Sequence, residues 1–370
     1  MPIHPTRTNV KITGFKTTPV VVPFDKPITT AIHDMRSVGC VLLELETDQG
    51  LIGESYIFTL NAVRLKALQE MLLGFEHHVL NRNAHHIGAI WQSIWNEMNP
   101  IGHKGFSIAA LAAIDTACWD LVGKSAEQPL HHLFGACRDS IKTYASGGLW
   151  LSQSIDDCVT QAEGFIESGF RSMKVRLGKP KMRDDIERVA AIRDAIGPDI
   201  ELLADINQGM RAKQAIRLGR ALEPYNLGWI EEPVVYHDLE GCSDVRRALD
   251  TPIAAGETEY TRYGMRDILN ARAVDVLMPD LQRIGGLSEM RRVAALSASF
   301  DVPISTHIFT EHSLSIAGSE PGCISVEHMP WYARLFNESL EIKEGMISIP
   351  TRPGTGFSFD QQAIKHFCLK

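Results

Sequence analysis

What the 370-residue chain lacks narrows its possible roles. No uninterrupted apolar run approaches the roughly 20 residues that span a bilayer, so no membrane partner is expected. The opening segment, MPIHPTRTNVKI, has none of the apolar core of a secretory signal. A cationic excess is missing too: 37 Lys and Arg against 45 Asp and Glu give a net charge of -8. That balance argues against nucleic acid as the main partner. Seven cysteines (Cys40, Cys118, Cys137, Cys158, Cys242, Cys323 and Cys368) contain no CxxC pair. Such scatter points to reduced thiols in a cytoplasmic protein, not to a disulfide framework or a zinc site. Low-complexity segments and internal repeats are absent. What remains, 44% hydrophobic and 22% charged residues, suits one large globular domain or two ordinary ones.

Two grammars follow one another along the chain. The first reads as strands and then helices: KITGFKTTPVVVPF, then VGCVLLELETDQGLIGESYIF with a hairpin turn at Asp48-Gln49-Gly50. Helical patterns run from Ala62 to about Leu80, from Ile87 to Met98 and from about Phe106 to Val122. From about Ile141, short apolar strands alternate with helices: SMKVRL, IELLADI, LGWIEE, TPIAAGE, AVDVLMPD, VPISTH and CISVEH. Regular strand–helix alternation indicates βαβ units, and seven or eight of them fit a closed α/β barrel better than an open sheet. The expected division is an α+β domain over 1–135, a barrel over 136–349, and a tail of about 350–370 that returns to the first domain.

In such a barrel the reacting groups gather at the C-terminal strand ends. Those ends carry Lys174 and Arg176, Asp205 and Asn207, Glu231, Glu257, Asp280, His307 and Glu327. Asp205, Glu231 and Glu257 recur at intervals of 26 residues, one βα unit each. Three converging carboxylates cannot all stay ionised in a partly buried site without a cation. A single acid at a strand end, as in WIEEP, is usually only solvated; three in register point to a divalent-metal site. Hard oxygen ligands with vacancies suit Mg²⁺, with Mn²⁺ as the alternative.

Proton-moving groups flank those acids. Lys174 and Arg176 alternate along one strand and so share a face. His307 follows Asp280 by 27 residues, which could set the carboxylate against the imidazole and fix its tautomer. The pairs His77-His78, His85-His86 and His131-His132 lie in helical or loop surroundings and are read as ordinary surface or core residues. A metal between a base and cations suits removal of the α-proton of a carboxylate through an enediolate. Enolase-superfamily sites, with a Lys or His base beside Mg²⁺, are an established example of this chemistry.

These marks, KVR at Lys174 to Arg176, DxN at Asp205 to Asn207, IEEP, GET, MPD with STH, and SVE at Glu327, resemble the mandelate racemase subgroup of the enolase superfamily over essentially the whole chain. The resemblance implies a modified (β/α)7β TIM-type barrel beneath an α+β N-terminal capping domain, and a homo-oligomer, dimers built up into octamers. It implies Mg²⁺ on Asp205, Glu231 and Glu257, and His307 oriented by Asp280 as acid/base. Lys174 would neutralise the substrate carboxylate, Glu327 would hydrogen-bond it, and Asn207 would contact the α-substituent. Glu232 would support its neighbour.

One departure carries weight. Racemases of the subgroup have a second lysine where this chain has Arg176, and a guanidinium is a poor general base. Elimination of water needs a proton carrier on one face only, so the substitution favours dehydration of an acid sugar to a 2-keto-3-deoxy acid. Racemisation or epimerisation of a 2-hydroxy acid is the alternative, lactone cycloisomerisation a more distant one. A catalytically silent barrel would be of another class, and retention of the dyad, the acids and Lys174 together argues against it. In the capping loop, His33, Asp34 and Arg36 suit a polyhydroxylated or dicarboxylic substrate, while Tyr56 and Phe58 supply apolar surface. His33 and Tyr56 are the expected substrate contacts there.

Overall fold

The computed structural model describes residues 9–369, so most of the opening segment read for a signal lies outside the described residues. Three antiparallel strands begin it: β1 (Ile12–Thr29), β2 (Asp34–Thr47) and β3 (Ile52–Leu60), in that spatial order. Central β2 has both faces covered, and its alternation sorts them. Val41, Leu43 and Leu45, with Ile57 of β3, pack on helices α1 (Leu65–Gly74), α2 (Ile87–Glu97) and α3 (Phe106–Ser125). Val38, Cys40 and Leu42, with Tyr56 and Phe58, face the other way into the core shared with the barrel. The sheet is therefore the middle layer, and this second face reaches the barrel.

Helix α1 starts three residues later than its apolar pattern, because Asn61, Ala62 and Arg64 adopt positive φ and break the helical path. Helix α3 is the one described helix long and apolar enough to compare with a membrane span, and it is packed inside the fold. Its acids are held there: Asp115 accepts from Ser288 N on one oxygen, the other being buried without a partner, and Asp120 pairs with Lys124 and accepts from Glu54 N and Thr355 N.

After a short helix, α4 (Leu130–Phe134), eight parallel strands close a barrel. They are β4 (Ser140–Ala145), β5 (Ser172–Arg176), β6 (Glu201–Asp205), β7 (Leu227–Glu231), β8 (Ile253–Ala255), β9 (Val276–Leu277), β10 (Ile304–Thr306) and β11 (Cys323–His328), with β11 pairing back to β4. Helices follow each of the first seven strands and not the eighth, the (β/α)7β pattern. Tyr144, Leu203, Trp229, Ala254, Val276 and Met278 form a separate buried cluster. In a barrel of this kind the interior is a packed core, so chemistry is confined to the strand ends.

The two parts are fastened directly over those ends. Ala31, in the turn after β1, presses on Gly178 and Gly209 of the loops after β5 and β6; a Cβ on either glycine would come within 2.8 Å or 2.7 Å of the Ala31 methyl. Gln282 clasps the Phe58 backbone, accepting from its N–H at 2.7 Å and donating to its carbonyl at 3.3 Å. Past β12 (Ile342–Lys343) and β13 (Met346–Ser348), which extend the sheet beside β4, the chain returns to the first sheet. Phe359 N donates to Glu54 and Leu369 N to the Pro19 carbonyl.

Candidate active site

Register brings the acids together. Arg176 pairs with Asp205 across β5 and β6, and Asp205 with Glu231 across β6 and β7. Glu257 stands two residues past the end of β8, beyond Gly256 at a positive φ of 131° that a side chain would strain. A cavity of about 90 Å³ opens between the strand ends and the capping loop. It is bordered by Lys174, Arg176, Asp205, Asn207, Glu257, His307 and Glu327, with His33 above. Glu231, fully buried, and Asp280 stand behind this lining.

Lys174 is the hub. Its Nζ is 2.6 Å from Glu231, 2.9 Å from Glu327 and 3.5 Å from Asp205. Burial works against its charge, but these acids hold its pKa well above the ordinary lysine value. Trp229, two residues along the same strand, donates to the other Glu231 oxygen at 3.1 Å. Glu327 is pinned on both oxygens, by Ser146 Oγ at 2.5 Å and by the Ile308 N–H at 2.7 Å. Burial raises its pKa, yet Lys174, His307 and Arg176 outweigh burial and hold it well below the carboxylate range.

Glu231 and Glu257 behave in the opposite sense. Burial, opposed by Lys174 and reinforced by Asp205 and Glu257, lifts the Glu231 pKa well above the usual value. Burial and the neighbouring Glu232 push Glu257 up to about 7. These carboxylates have too little positive charge around them, the condition a bound dication relieves. Asp205 accepts from the Asn207 backbone and side chain, while Asn207 Oδ1 is buried without a partner. An all-oxygen set of this kind fits Mg²⁺. Glu232, at a φ of 40°, accepts from Gln208 and Thr258 beside that set, tying together the loops after β6, β7 and β8.

Across the cavity, His307 Nδ1 is 2.7 Å from Asp280, and its Nε2 is 3.4 Å from Glu257. Burial lowers its pKa, but Glu257 and Asp280 more than compensate and push it up to about 9. Asp280 is itself held by the Arg283 N–H as the N-cap of a helical turn. Arg176 is fixed differently. Its guanidinium donates to the Ser146 carbonyl at 3.0 Å and to Ser146 Oγ at 2.9 Å, and lies over the Trp150 ring at 4.4 Å.

Above the barrel, His33 and Thr30 line the cavity, whereas Asp34 and Arg36 are exposed outside it. Burial and the charge of Arg283 lower the His33 pKa. The expectation that Tyr56 touches substrate is corrected. Its hydroxyl donates to Glu311, its ring packs on Phe309 and Tyr332, and Phe58, two residues on, takes the place at the cavity. Sequence reasoning missed Ser146, Trp150 and Arg283. Ser146 directly follows the first barrel strand, so reading KTYAS as a strand end would have found it; Trp150 is brought in by a loop turn that leaves no local signal.

Comparison with known proteins decides the lineage. Residues 12–135 match the mandelate racemase / muconate lactonizing enzyme N-terminal domain, and residues 157–363 the enolase C-terminal domain-like family. The chain belongs to the mandelate racemase/muconate lactonizing enzyme family. Within it, L-talarate/galactarate dehydratase of Salmonella typhimurium is 31% identical over 91% of this chain and 85% of its own length. The 3,6-anhydro-alpha-L-galactonate cycloisomerase of Streptomyces coelicolor is also 31% identical, over 92% of this chain and 94% of the relative. The crystal structure of L-talarate dehydratase from Polaromonas, complexed with Mg and L-glucarate, superposes with a TM-score of 0.92 at 31% identity, covering 98% of both chains. Relatives of the chain thus include dehydratases, cycloisomerases and, at 26% identity, an L-Ala-D/L-Glu epimerase of Bacillus subtilis.

Proposed function

We propose that the protein is a Mg²⁺-dependent hydro-lyase that converts an acid sugar, a 2,3-dihydroxy carboxylate, to its 2-keto-3-deoxy acid. The observation that carries this reading is the asymmetry of the cavity. One flank holds a titratable imidazole with its carboxylate at 2.7 Å; the other holds a guanidinium locked onto Ser146 and Trp150.

Asp205, Glu231 and Glu257 would hold the Mg²⁺, which supplies Lewis-acid stabilisation of the charge that develops on the substrate carboxylate. Lys174 adds its ammonium charge to the same oxygens, and Glu327, at the cavity wall, would donate to one of them once it has taken up a proton. His307 Nε2 takes the C2 proton from its neutral form, which a dication on Glu257 would favour by offsetting the carboxylate charge that raises the imidazole pKa, with Nδ1–H held on Asp280 so that the ring accepts at one nitrogen only. His307 returns that proton to the C3 hydroxyl, which departs as water, and the enol left behind gains a solvent proton at C3 and becomes the ketone. Arg176 clamps the substrate, and Asn207 and His33 contact its hydroxyls or its far end. The dehydratases among the family's relatives support this reading. We further read the protein as a cytoplasmic homo-oligomer, a compartment in keeping with seven free cysteines.

A second reading has its own observation. Met35, Phe58, Leu60, Trp150 and Trp331 give the cavity an apolar side, which suits a 2-hydroxy acid with an apolar substituent and hence a racemase. The test is incubation of the Mg²⁺-loaded protein with panels of aldonic and aldaric acids, scoring 2-keto products as semicarbazones. Product from at least one acid sugar is expected. Inversion of mandelate or a small 2-hydroxy acid, with no keto product from any sugar, would replace the proposal with the second reading.

A further inference from the structure

The histidine pair His77-His78, which the catalytic site leaves unused, forms a constellation of its own on the capping domain. The two residues are consecutive on a single 3-10 turn, Glu76–His78. Successive side chains on such a turn normally diverge by about a third of a revolution. Here the ring centroids are 4.1 Å apart and both Nε2 atoms address one oxygen. Glu97 Oε2 lies 3.0 Å from His77 Nε2 and 2.6 Å from His78 Nε2. Each of the three residues offers a donor atom within 4.8 Å of the other two.

The backbone holding these donors is anchored. Buried Phe75 and Val79 bracket the histidines, and the His78 ring, 14% exposed, packs on Phe75 at 6.4 Å. Glu97 is the last residue of α2 and precedes fully buried Met98. Among the described residues no Lys or Arg pairs with Glu97, so the two imidazoles are the groups that address its carboxylate.

We propose that His77, His78 and Glu97 form a surface site for a borderline transition-metal dication of the Zn²⁺ class, separate from the catalytic carboxylates. Two imidazole nitrogens and one carboxylate oxygen select Zn²⁺, Ni²⁺ or Cu²⁺ over Mg²⁺ or Ca²⁺, which prefer all-oxygen sets. Metal–ligand lengths near 2.0–2.2 Å place tetrahedral donors roughly 3.3–3.6 Å apart. The observed 2.6 and 3.0 Å need only a small opening, which Glu97, 44% exposed, and His77, 62% exposed, can provide together. Three protein ligands leave a fourth position for water. The bound ion would tie the turn after α1 to the end of α2.

The test is calorimetric titration of the full chain with Zn²⁺ in excess Mg²⁺, with Co²⁺ absorption as a second readout of coordination geometry. Wild type should bind one equivalent that His78→Ala loses and that Glu97→Gln binds at least about tenfold more weakly. Asp139→Asn, in the other histidine cluster, His131-His132-Asp139, should leave that equivalent in place. Glu97→Gln keeps a hydrogen-bonding side chain on an exposed helix end, so its fold is not at issue, and circular dichroism checks it. Unchanged Zn²⁺ binding in both variants, or loss in Asp139→Asn alone, would overturn the proposal.

Discussion

The two flanks of the catalytic cavity are built on opposite principles. On the β10 side, His307 is held at one nitrogen by Asp280 and presents the other toward Glu257. On the β5 side, Arg176 has neighbours at both terminal nitrogens and an indole against its face. The first is arranged to exchange a proton, the second to stay charged and still. A site with one mobile proton carrier can eliminate; a site that inverts a centre needs two.

The sharpest way to break this contrast is to remove the mobile partner. His307→Asn should lower turnover by about 10³-fold while leaving Mg²⁺ affinity, read by calorimetry, as in wild type. Full activity would take His307 out of the chemistry. Glu231→Gln should weaken Mg²⁺ binding by at least about tenfold, because it removes one of three acids; unchanged affinity would remove it from the ligand set.

The rigid flank is tested by smaller changes. Arg176→Lys should cost about tenfold in kcat/KM, since a point charge replaces a bidentate fork, with no gain of exchange at the second face by deuterium NMR. New two-face exchange would show that the position retains the geometry of a base. Trp150→Ala removes the ring beneath the guanidinium along with part of the cavity's apolar side, and a cation–π contact of about 0.5–2 kcal/mol implies a KM rise of at least a few-fold and up to about thirtyfold. An unchanged KM would mean that Ser146 alone orients Arg176.

The smallest effect belongs to the seam between the two parts, where Glu311 meets Tyr56. Burial pushes the Glu311 pKa from its usual 4.5 up to about 7. A raised acid binds its proton in the folded state after the unfolded chain has released it, so this group's contribution to stability falls as pH rises from about 4.5 to about 7. Glu311→Gln should therefore lose less Tm across that window than wild type. Identical pH profiles would mean that Glu311 is compensated by groups around it.

How much was legible in the sequence depended on whether periodicity or tertiary packing decided a position. Asp205, Glu231, Glu257, Asp280 and His307 are spaced by the length of a βα unit, so their side-by-side placement could be read from intervals alone. Lys174 and Arg176 followed from strand alternation. Tyr56 and Phe58 share the same strand face, and no local rule says which reaches the cavity; the aromatic packing of Phe309 and Tyr332 claims Tyr56. Trp150 comes in on a loop turn through Leu149 at a φ of 52°, a conformation that leucine does not advertise. The start of α1 was misplaced for a related reason, since Asn61, Ala62 and Arg64 take left-handed angles despite an apolar pattern around them.

The most direct test of single-face chemistry is proton NMR in D2O with Mg²⁺, following an acid-sugar pool through long incubation with the wild-type protein. The account predicts loss of the C2 proton in step with growth of a 2-keto-3-deoxy product deuterated at C3, with no C2 epimer at any time. Accumulation of the C2 epimer with deuterium at C2 and without keto product would contradict it, and would make Arg176 or a group beside it a second proton carrier.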